Sequence, residues 1–126
     1  MLKLRLFSVF VDDQEKAVKF YTEVLGFEMV TNVPVGEFNW VTVGSKQVEL
    51  LLEPNDNPIA KEYQEGLKKQ GIPALMLFTD DLDKEFARLK DKVEFVMEPT
   101  RTKFGYMAIF DDTCGNLVQI FEEKDD

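Results

Sequence analysis

The stretch FSVFVDD at residues 7–13 decides the fold, because LMLFTDD at residues 75–81 repeats it in the second half of the chain. Each copy is an apolar segment that ends in an Asp-Asp pair. Apolar segments with period-two alternation are typical of strands, and aspartate is a preferred N-cap of helices. The same strand-to-helix transition is therefore predicted twice, which indicates two equivalent modules.

The residues that follow each Asp-Asp pair extend the parallel. Apolar residues at helical spacing run from Ala17 to Leu25 before Gly26, a typical C-terminal stop, and again from Leu82 to Leu89. In the first half we predict three strands near Glu28–Asn32, Glu37–Val43 and Gln47–Glu53, with a Gly44-Ser45 turn. The second half has a similar strand start at residues 93–97 and closes with a hairpin over residues 104–123. Each module is thus a βαβββ unit.

A helical linker joins the two modules. Asn57 followed by Pro58 is a helix N-cap with proline at the first helical position, and this helix should stop at Gly71. We therefore expect one α+β domain over residues 1–126, with repeats at about 1–53 and 73–123 and a linker at 54–72. Each repeat would supply a curled sheet of about four strands, with its helix on the convex side.

The charge balance restricts the partners. The chain has 24 acidic and 15 basic residues and a net charge of −9, so a nucleic-acid partner would be repelled. Solubility explains this charge, and attraction of cationic ligands is the alternative. No apolar run is long enough to cross a bilayer and no signal peptide is evident, so we expect no membrane partner and a cytoplasmic location. The acidic segment Glu122–Asp126 is expected to be a frayed terminus.

The chain contains no histidine and a single cysteine, Cys114. Histidine is the commonest metal ligand and the usual general base near neutral pH. The ordinary zinc sites and the Ser-His and Cys-His nucleophiles are therefore excluded, as is an internal disulfide. We expect no metal, no cofactor and no redox role for Cys114, which lies in an acidic turn.

Three segments resemble a known family. They are Asp13 with Phe20-Tyr21 and VLGF at residues 24–27, then VEL at residues 48–50, and finally FDDTCGNLVQ at residues 110–119. In this order they resemble the vicinal oxygen chelate superfamily, also called the glyoxalase/bleomycin resistance protein/dioxygenase family. The resemblance covers essentially the whole chain and implies curled mixed sheets around a cup-shaped pocket.

This resemblance implies four positions where metal-using members hold their ion. Carried over by position, they fall on Leu6, Glu49, Ala74 and Gln119. Two of these side chains have no donor atom, and one carboxylate with one amide is too little for zinc, nickel or iron. The resemblance therefore implies a member of the family that works without a metal.

Strand alternation predicts the residues that line the cup. If Glu49 faces inward, the set is mostly apolar with a few polar groups, as in small-molecule pockets. Glu49 among apolar residues could act as a general base, although it could instead face water or pair with a lysine. The aromatic residues could stack on a flat ligand or fill the cup, and Arg101 could bind a polar or anionic group or be solvated. The predicted ligand-binding residues are Ser8, Phe10, Trp40, Glu49, Leu51, Met76, Phe78, Arg101, Tyr106, Gln119 and Phe121.

Three functions fit these features. The first is a homodimeric, metal-independent protein of the bleomycin-resistance type that binds a small, cationic or aromatic molecule. The second is a lyase or isomerase resembling glyoxalase I, with Glu49 as its base, for which no cation is evident to neutralise an oxyanion. The third is an interaction module whose cup is filled by its own side chains.

Overall fold

Strands pair in the same order in both halves of the chain. The computed structural model describes residues 1–123. The chain divides into two compact units, Met1–Gln64 and a second that begins at Glu65. The first sheet has the order β1-β4-β3-β2 and the second the order β5-β8-β7-β6. In each sheet the first pair is parallel and the others are antiparallel, so the predicted duplicated α+β fold with mixed sheets is confirmed.

The elements of the first unit match the predicted series in type and order. They are β1 Leu6–Val11, α1 Gln14–Lys19 with a following π-helical turn Phe20–Val24, β2 Glu28–Val35, β3 Phe38–Gly44 and β4 Glu49–Pro54.

The boundary between the units falls within α2 Pro58–Lys69, which begins at the predicted proline. The second unit then contains β5 Leu75–Thr79, α3 Leu82–Leu89, β6 Phe95–Thr102, β7 Gly105–Asp111 and β8 Leu117–Glu122. Glu122 ends β8, where its Oε1 accepts a hydrogen bond from the Leu82 amide at 3.1 Å, so it is not part of a frayed terminus. Residues 124–126 of that expected terminus lie outside the described residues.

The two Asp-Asp pairs cap their helices in the same way. The Asp13 carboxylate accepts from the Lys16 amide at 3.1 Å, and the Asp81 carboxylate accepts from the Lys84 amide at 3.1 Å. Each bond satisfies one amide of the first helical turn that has no partner within the helix. The N-cap therefore lies in each Asp-Asp pair, as expected, and the structure shows that it is the second aspartate of the pair.

The first helix differs from the uniform α-helix that was predicted up to Gly26. After Lys19 it widens into a π-helical turn, with the Leu25 amide bonded to the Phe20 carbonyl at 3.0 Å. The Thr22 hydroxyl donates to the Val18 carbonyl at 2.7 Å, and such a side-chain bond competes with the α-helical pattern. Gly26 still ends the segment, with φ +89°.

The edge strands β2 and β6 are longer than predicted. Both continue through a proline, Pro34 and Pro99, two residues beyond the segments predicted at residues 28–32 and 93–97. Proline cannot donate to a sheet ladder, but an edge strand leaves half of its amides unpaired. The prolines are therefore tolerated at both edges, and each edge strand continues as a long hairpin with its neighbour.

The core of each unit lies between its sheet and the helix that packs on one face. In the first unit the buried residues include Val9, Val11, Val41, Val43 and Leu52 from the sheet, with Ala17, Phe20 and Tyr21 from the helical segment. In the second they include Leu82, Leu89, Ala108, Phe110, Val118 and Ile120. We call this side the helix face of each sheet and the opposite side the open face. Across residues 1–123, none of the helices has the length and apolarity that crossing a membrane requires.

Candidate functional site

Strand register places the predicted residues of the first unit on one open face. Along the parallel β1–β4 pair, Leu6 is opposite Glu49, Ser8 opposite Leu51, and Phe10 opposite Glu53. Residues opposite one another in a sheet project to the same side, and alternation repeats that side every second residue. Thr42 pairs with Leu51, so Thr42 and Trp40 of β3 belong to the same face. The alternation predicted from the sequence therefore holds on this sheet.

Glu49 is a buried carboxylate with two partners. Its side chain is 9% exposed, its Oε1 accepts from the Thr42 hydroxyl at 2.8 Å, and its Oε2 lies 3.1 Å from an Arg5 guanidinium nitrogen. Sequence analysis missed both partners and considered a lysine for this role. Arg5 directly precedes β1, and its carbonyl accepts from the Glu49 amide at 2.7 Å, which holds the two residues next to each other. Strand alternation alone would place Arg5 on the side opposite Leu6, so the sequence pattern did not reveal this pairing. Both carboxylate oxygens are engaged, which is the arrangement of a fixed charge.

The four positions implied by family resemblance do not fit a metal ion. Leu6 and Ala74 have no donor atoms, Glu49 is held by Arg5 and Thr42, and the Gln119 amide nitrogen lies 2.9 Å from the Met107 sulfur. Over the described residues, no group of three or more histidine, cysteine, aspartate or glutamate side chains is placed to hold a metal. The donor set supplies too few oxygen or nitrogen ligands for a transition metal.

A shallow pocket of about 210 Å³ lies on the open face of the first sheet, and we call it the Trp40 pocket. Its walls are mostly apolar and its one charged residue is Glu53, with no ion-pair partner among residues 1–123. A cavity of roughly 150 Å³ is enough for benzene, so this volume suits one or two fused rings. Sequence analysis named Trp40 and Leu51, and alternation placed Glu53 on the same side as Glu49. It missed Val35 because it ended β2 too early, and it did not single out Phe38 or Pro54.

A larger groove of about 370 Å³ lies on the helix face, between α1 and the β2–β3 hairpin. Its floor includes Val18 and Val41, and its polar wall includes Gln14. The Gln14 amide nitrogen donates to the Asn39 and Leu52 carbonyls, each at 2.8 Å, and its oxygen accepts from the Asn39 amide. These bonds tie the helix to the sheet, so Gln14 serves the fold of the first unit.

In the second unit the register again places four predicted residues on one open face. Met76 is opposite Gln119, and Phe78 is opposite Phe121, whose ring centroid lies 5.9 Å away. Met76 and Phe78 are exposed. Gly105 makes room for this arrangement, because a Cβ on it would lie 2.6 Å from the Phe121 Cζ. The second open face is therefore an aromatic and methionine-rich surface.

Arg101 and Tyr106 lie on the other side of that sheet. Met107 is opposite Phe121, so its neighbour Tyr106 projects to the helix face, where its hydroxyl bonds the Asp83 carboxylate of α3. Arg101 pairs with Tyr106 and its guanidinium lies 4.5 Å from the Tyr106 ring centroid. These two predicted residues therefore lie apart from the open-face group; their position in the last hairpin did not indicate a side of the sheet. The register of β7 against β8 decides the side, and alternation within one strand cannot reveal it.

The hydrogen bond to Asp83 raises the pKa of Tyr106 above 10.0, since the carboxylate favours the protonated phenol. The contribution of this group to stability should be present below pH 10 and be lost as pH rises through the raised pKa. A spectrophotometric titration of tyrosinate, taken as the difference between wild type and Tyr106→Phe, should show a late-titrating component. Asp83→Asn should move that component to lower pH, and an unchanged titration in this variant would contradict the assignment.

A family model described as the Glyoxalase/Bleomycin resistance protein/Dioxygenase superfamily matches residues 3–120. The uncharacterized protein YurT of Bacillus subtilis (strain 168) is 48% identical over 127 residues, covering 97% of this chain and 100% of that protein. Among solved structures, UcmS2 is 30% identical with a TM-score of 0.83, covering 98% of this chain and 99% of that one. TnmS3, an antibiotic binding protein from Streptomyces sp. CB03234, is 30% identical with a TM-score of 0.75, covering 98% of each chain.

Proposed function

Since the chain belongs to the glyoxalase/bleomycin resistance protein/dioxygenase superfamily, we propose that it binds a small aromatic molecule without a metal ion. The Trp40 pocket is the observation that carries this proposal. It is lined mainly by apolar and aromatic side chains with one charged group, the composition of small-molecule sites. The likeness to an antibiotic binding protein supports binding as the activity.

Glu53 indicates that the proposed ligand carries a positive charge. It lines the pocket together with Trp40 and is half-buried. A cation beside the Glu53 carboxylate and over the face of the Trp40 indole is attracted electrostatically by both groups. The net charge of −9 adds a general attraction for cations. The ligand class is therefore a small aromatic molecule with a cationic group.

The alternative, a lyase or isomerase with Glu49 as its base, has less support. A general base must reach a substrate proton with a free carboxylate oxygen. Both Glu49 oxygens already have partners, Arg5 and Thr42. Turnover of methylglyoxal with glutathione that disappears in Glu49→Gln would favour this alternative over binding.

We further propose that the protein acts as a cytoplasmic homodimer. Exposed apolar residues on the open faces support a second copy as a partner, because patches of this kind mark interaction sites. In the first unit they include Val33, Val35 and Trp40, and in the second Met76 and Phe78.

The binding proposal predicts affinity for simple naphthalene probes in the presence of a metal chelator. Naphthalene-2-methanol and naphth-2-ylmethylammonium should both bind by isothermal titration calorimetry, the ammonium more tightly. Trp40→Ala should weaken both by about tenfold, because the aromatic contact is lost. Glu53→Gln should weaken only the ammonium.

Ile59→Ala is the matched control, since Ile59 is an exposed apolar residue of α2 outside the pocket and its loss should change neither affinity. Trp40 is the single tryptophan, so quenching of its fluorescence gives a second readout. Failure of both probes to bind, or binding that requires added zinc, would contradict the proposal.

A further inference from the structure

Arg5 presents an exposed positive charge at one end of the open face of the first sheet. Its side chain is 61% exposed, and one terminal nitrogen lies 3.1 Å from the buried Glu49 carboxylate. A guanidinium has five N–H donors in a rigid fork. Within residues 1–123, Glu49 is the only ion-pair partner the structure gives it, so the outer donors of the fork face solvent.

Glu49 forms an ion pair with that fork. The carboxylate is itself fixed by the Thr42 hydroxyl, and Thr42 is fully buried. The backbone of Arg5 is fixed as well, because its carbonyl accepts from the Glu49 amide at 2.7 Å. An arginine anchored in this way loses less side-chain entropy when it binds a second acceptor.

The charge of Arg5 lies at the opposite end of β4 from Glu53. The two glutamates are four residues apart on one strand, or roughly 13 Å at the usual rise per residue. The route between them along β1 is accessible, because Leu6 and Ser8 are exposed. The open face thus has a cationic end at Arg5, an exposed hydroxyl at Ser8 and an anionic end at Glu53.

We propose that Arg5 binds an anionic group of the ligand, so that the open face selects a dipolar aromatic molecule with a carboxylate or similar small anion opposite its cationic group. This inference rests on the proposed small-molecule binding at the Trp40 pocket and adds a second contact point. Planar bidentate recognition of carboxylates is the chemistry for which a guanidinium is best suited.

The test compares charged probes on one aromatic frame. 2-Naphthoate should bind wild type, and Arg5→Gln should weaken it by about tenfold, the effect of one charge-assisted hydrogen bond at a partly exposed position. Naphthalene-2-methanol should bind Arg5→Gln as it binds wild type. 6-(Aminomethyl)-2-naphthoate, which carries both charges, should lose affinity in Arg5→Gln and also in Glu53→Gln.

Two variants separate Arg5 from general charge and from misfolding. Lys3→Gln removes the same charge from an exposed residue two positions earlier and should leave 2-naphthoate binding unchanged. Arg5→Gln/Glu49→Gln keeps the net charge and replaces the ion pair by two amides, so it avoids a buried unpaired carboxylate. It should lose 2-naphthoate affinity as the single variant does.

The outcomes distinguish the two proposals. If the neutral and ammonium probes bind through Trp40 but 2-naphthoate binds both Arg5 variants as tightly as wild type, the role of Arg5 is wrong and small-molecule binding stands. If Lys3→Gln weakens 2-naphthoate as much as Arg5→Gln does, the attraction is nonspecific and the assignment to Arg5 is again wrong. If none of the probes binds wild type, the proposed function itself fails.

Discussion

Replacing Asp112 by alanine is expected to lower the free energy of unfolding by about 3–5 kcal/mol, because buried donors lose a carboxylate acceptor. Asp112 is fully buried in the β7–β8 connection. Its Oδ1 accepts from the Cys114 amide at 2.7 Å and the Asn116 amide at 2.9 Å, and its Oδ2 accepts from the Asn116 side chain at 2.9 Å. Urea or guanidinium unfolding at pH 7 measures the change.

Two variants make this prediction specific. Asp112→Asn keeps one oxygen to accept from the two backbone amides but places an NH2 group against the Asn116 side-chain nitrogen, so its cost should be smaller, about 1–3 kcal/mol. Asp91→Ala removes an exposed aspartate and should change stability by less than about 0.5 kcal/mol. Equal midpoints for Asp112→Ala and Asp91→Ala would show that the turn does not depend on this carboxylate.

Replacing Gly105 by alanine is expected to cost about 2–4 kcal/mol and to displace the Phe121 ring from the second open face. Gly105 has φ +131°, a conformation nearly confined to glycine, and the added Cβ would lie 2.6 Å from the Phe121 Cζ. Backbone strain and overpacking therefore add. Thermal unfolding reports the stability loss, and the methyl and aromatic NMR signals of Phe78 and Phe121 neighbours report the displacement.

Other glycines separate the two contributions. Gly36→Ala places a Cβ at φ +63° with no atom within 4 Å, so it measures the cost of a positive φ without a steric clash, in a backbone conformation less strained than that of Gly105. Gly66→Ala lies within helix α2 and also meets no atom within 4 Å, so it should stabilise the protein by about 0.5–1 kcal/mol. In Gly105→Ala/Phe121→Ala the steric clash is absent, so the double variant should lose less stability than the sum of the two single losses. A loss in the double variant equal to that sum, or larger, would contradict the steric explanation.

The fold could be predicted from local patterns because both modules carry the same signals. The Asp13 and Asp81 caps, the stop at Gly26 and the start at Pro58 are each set by a few neighbouring residues. Period-two alternation also placed Ser8, Phe10, Glu49 and Leu51 on one face correctly, since side-chain direction within a strand depends only on parity.

The errors arise where pairing between strands decides the outcome. The register of β7 against β8 sets which side Tyr106 takes, and register shifts near Met97 in β6 accompany the position of Arg101. The Trp40 pocket includes Val35, at the end of β2, whereas the predicted strand ended near Asn32. Such features join residues distant in sequence, and the local pattern does not contain them.

By itself the sequence determined the duplicated βαβββ plan, because short-range patterns set helix caps, turns and the side to which each strand residue points. It also excluded metal sites and general bases that depend on histidine, because the chain contains none. Only the tertiary structure decided that Arg5 neutralises Glu49, that Glu53 lines a pocket with Trp40, and that Arg101 and Tyr106 turn to the helix face. Each of these depends on which strands become neighbours and in what register, and that choice is made by the packing of a whole sheet on its helix.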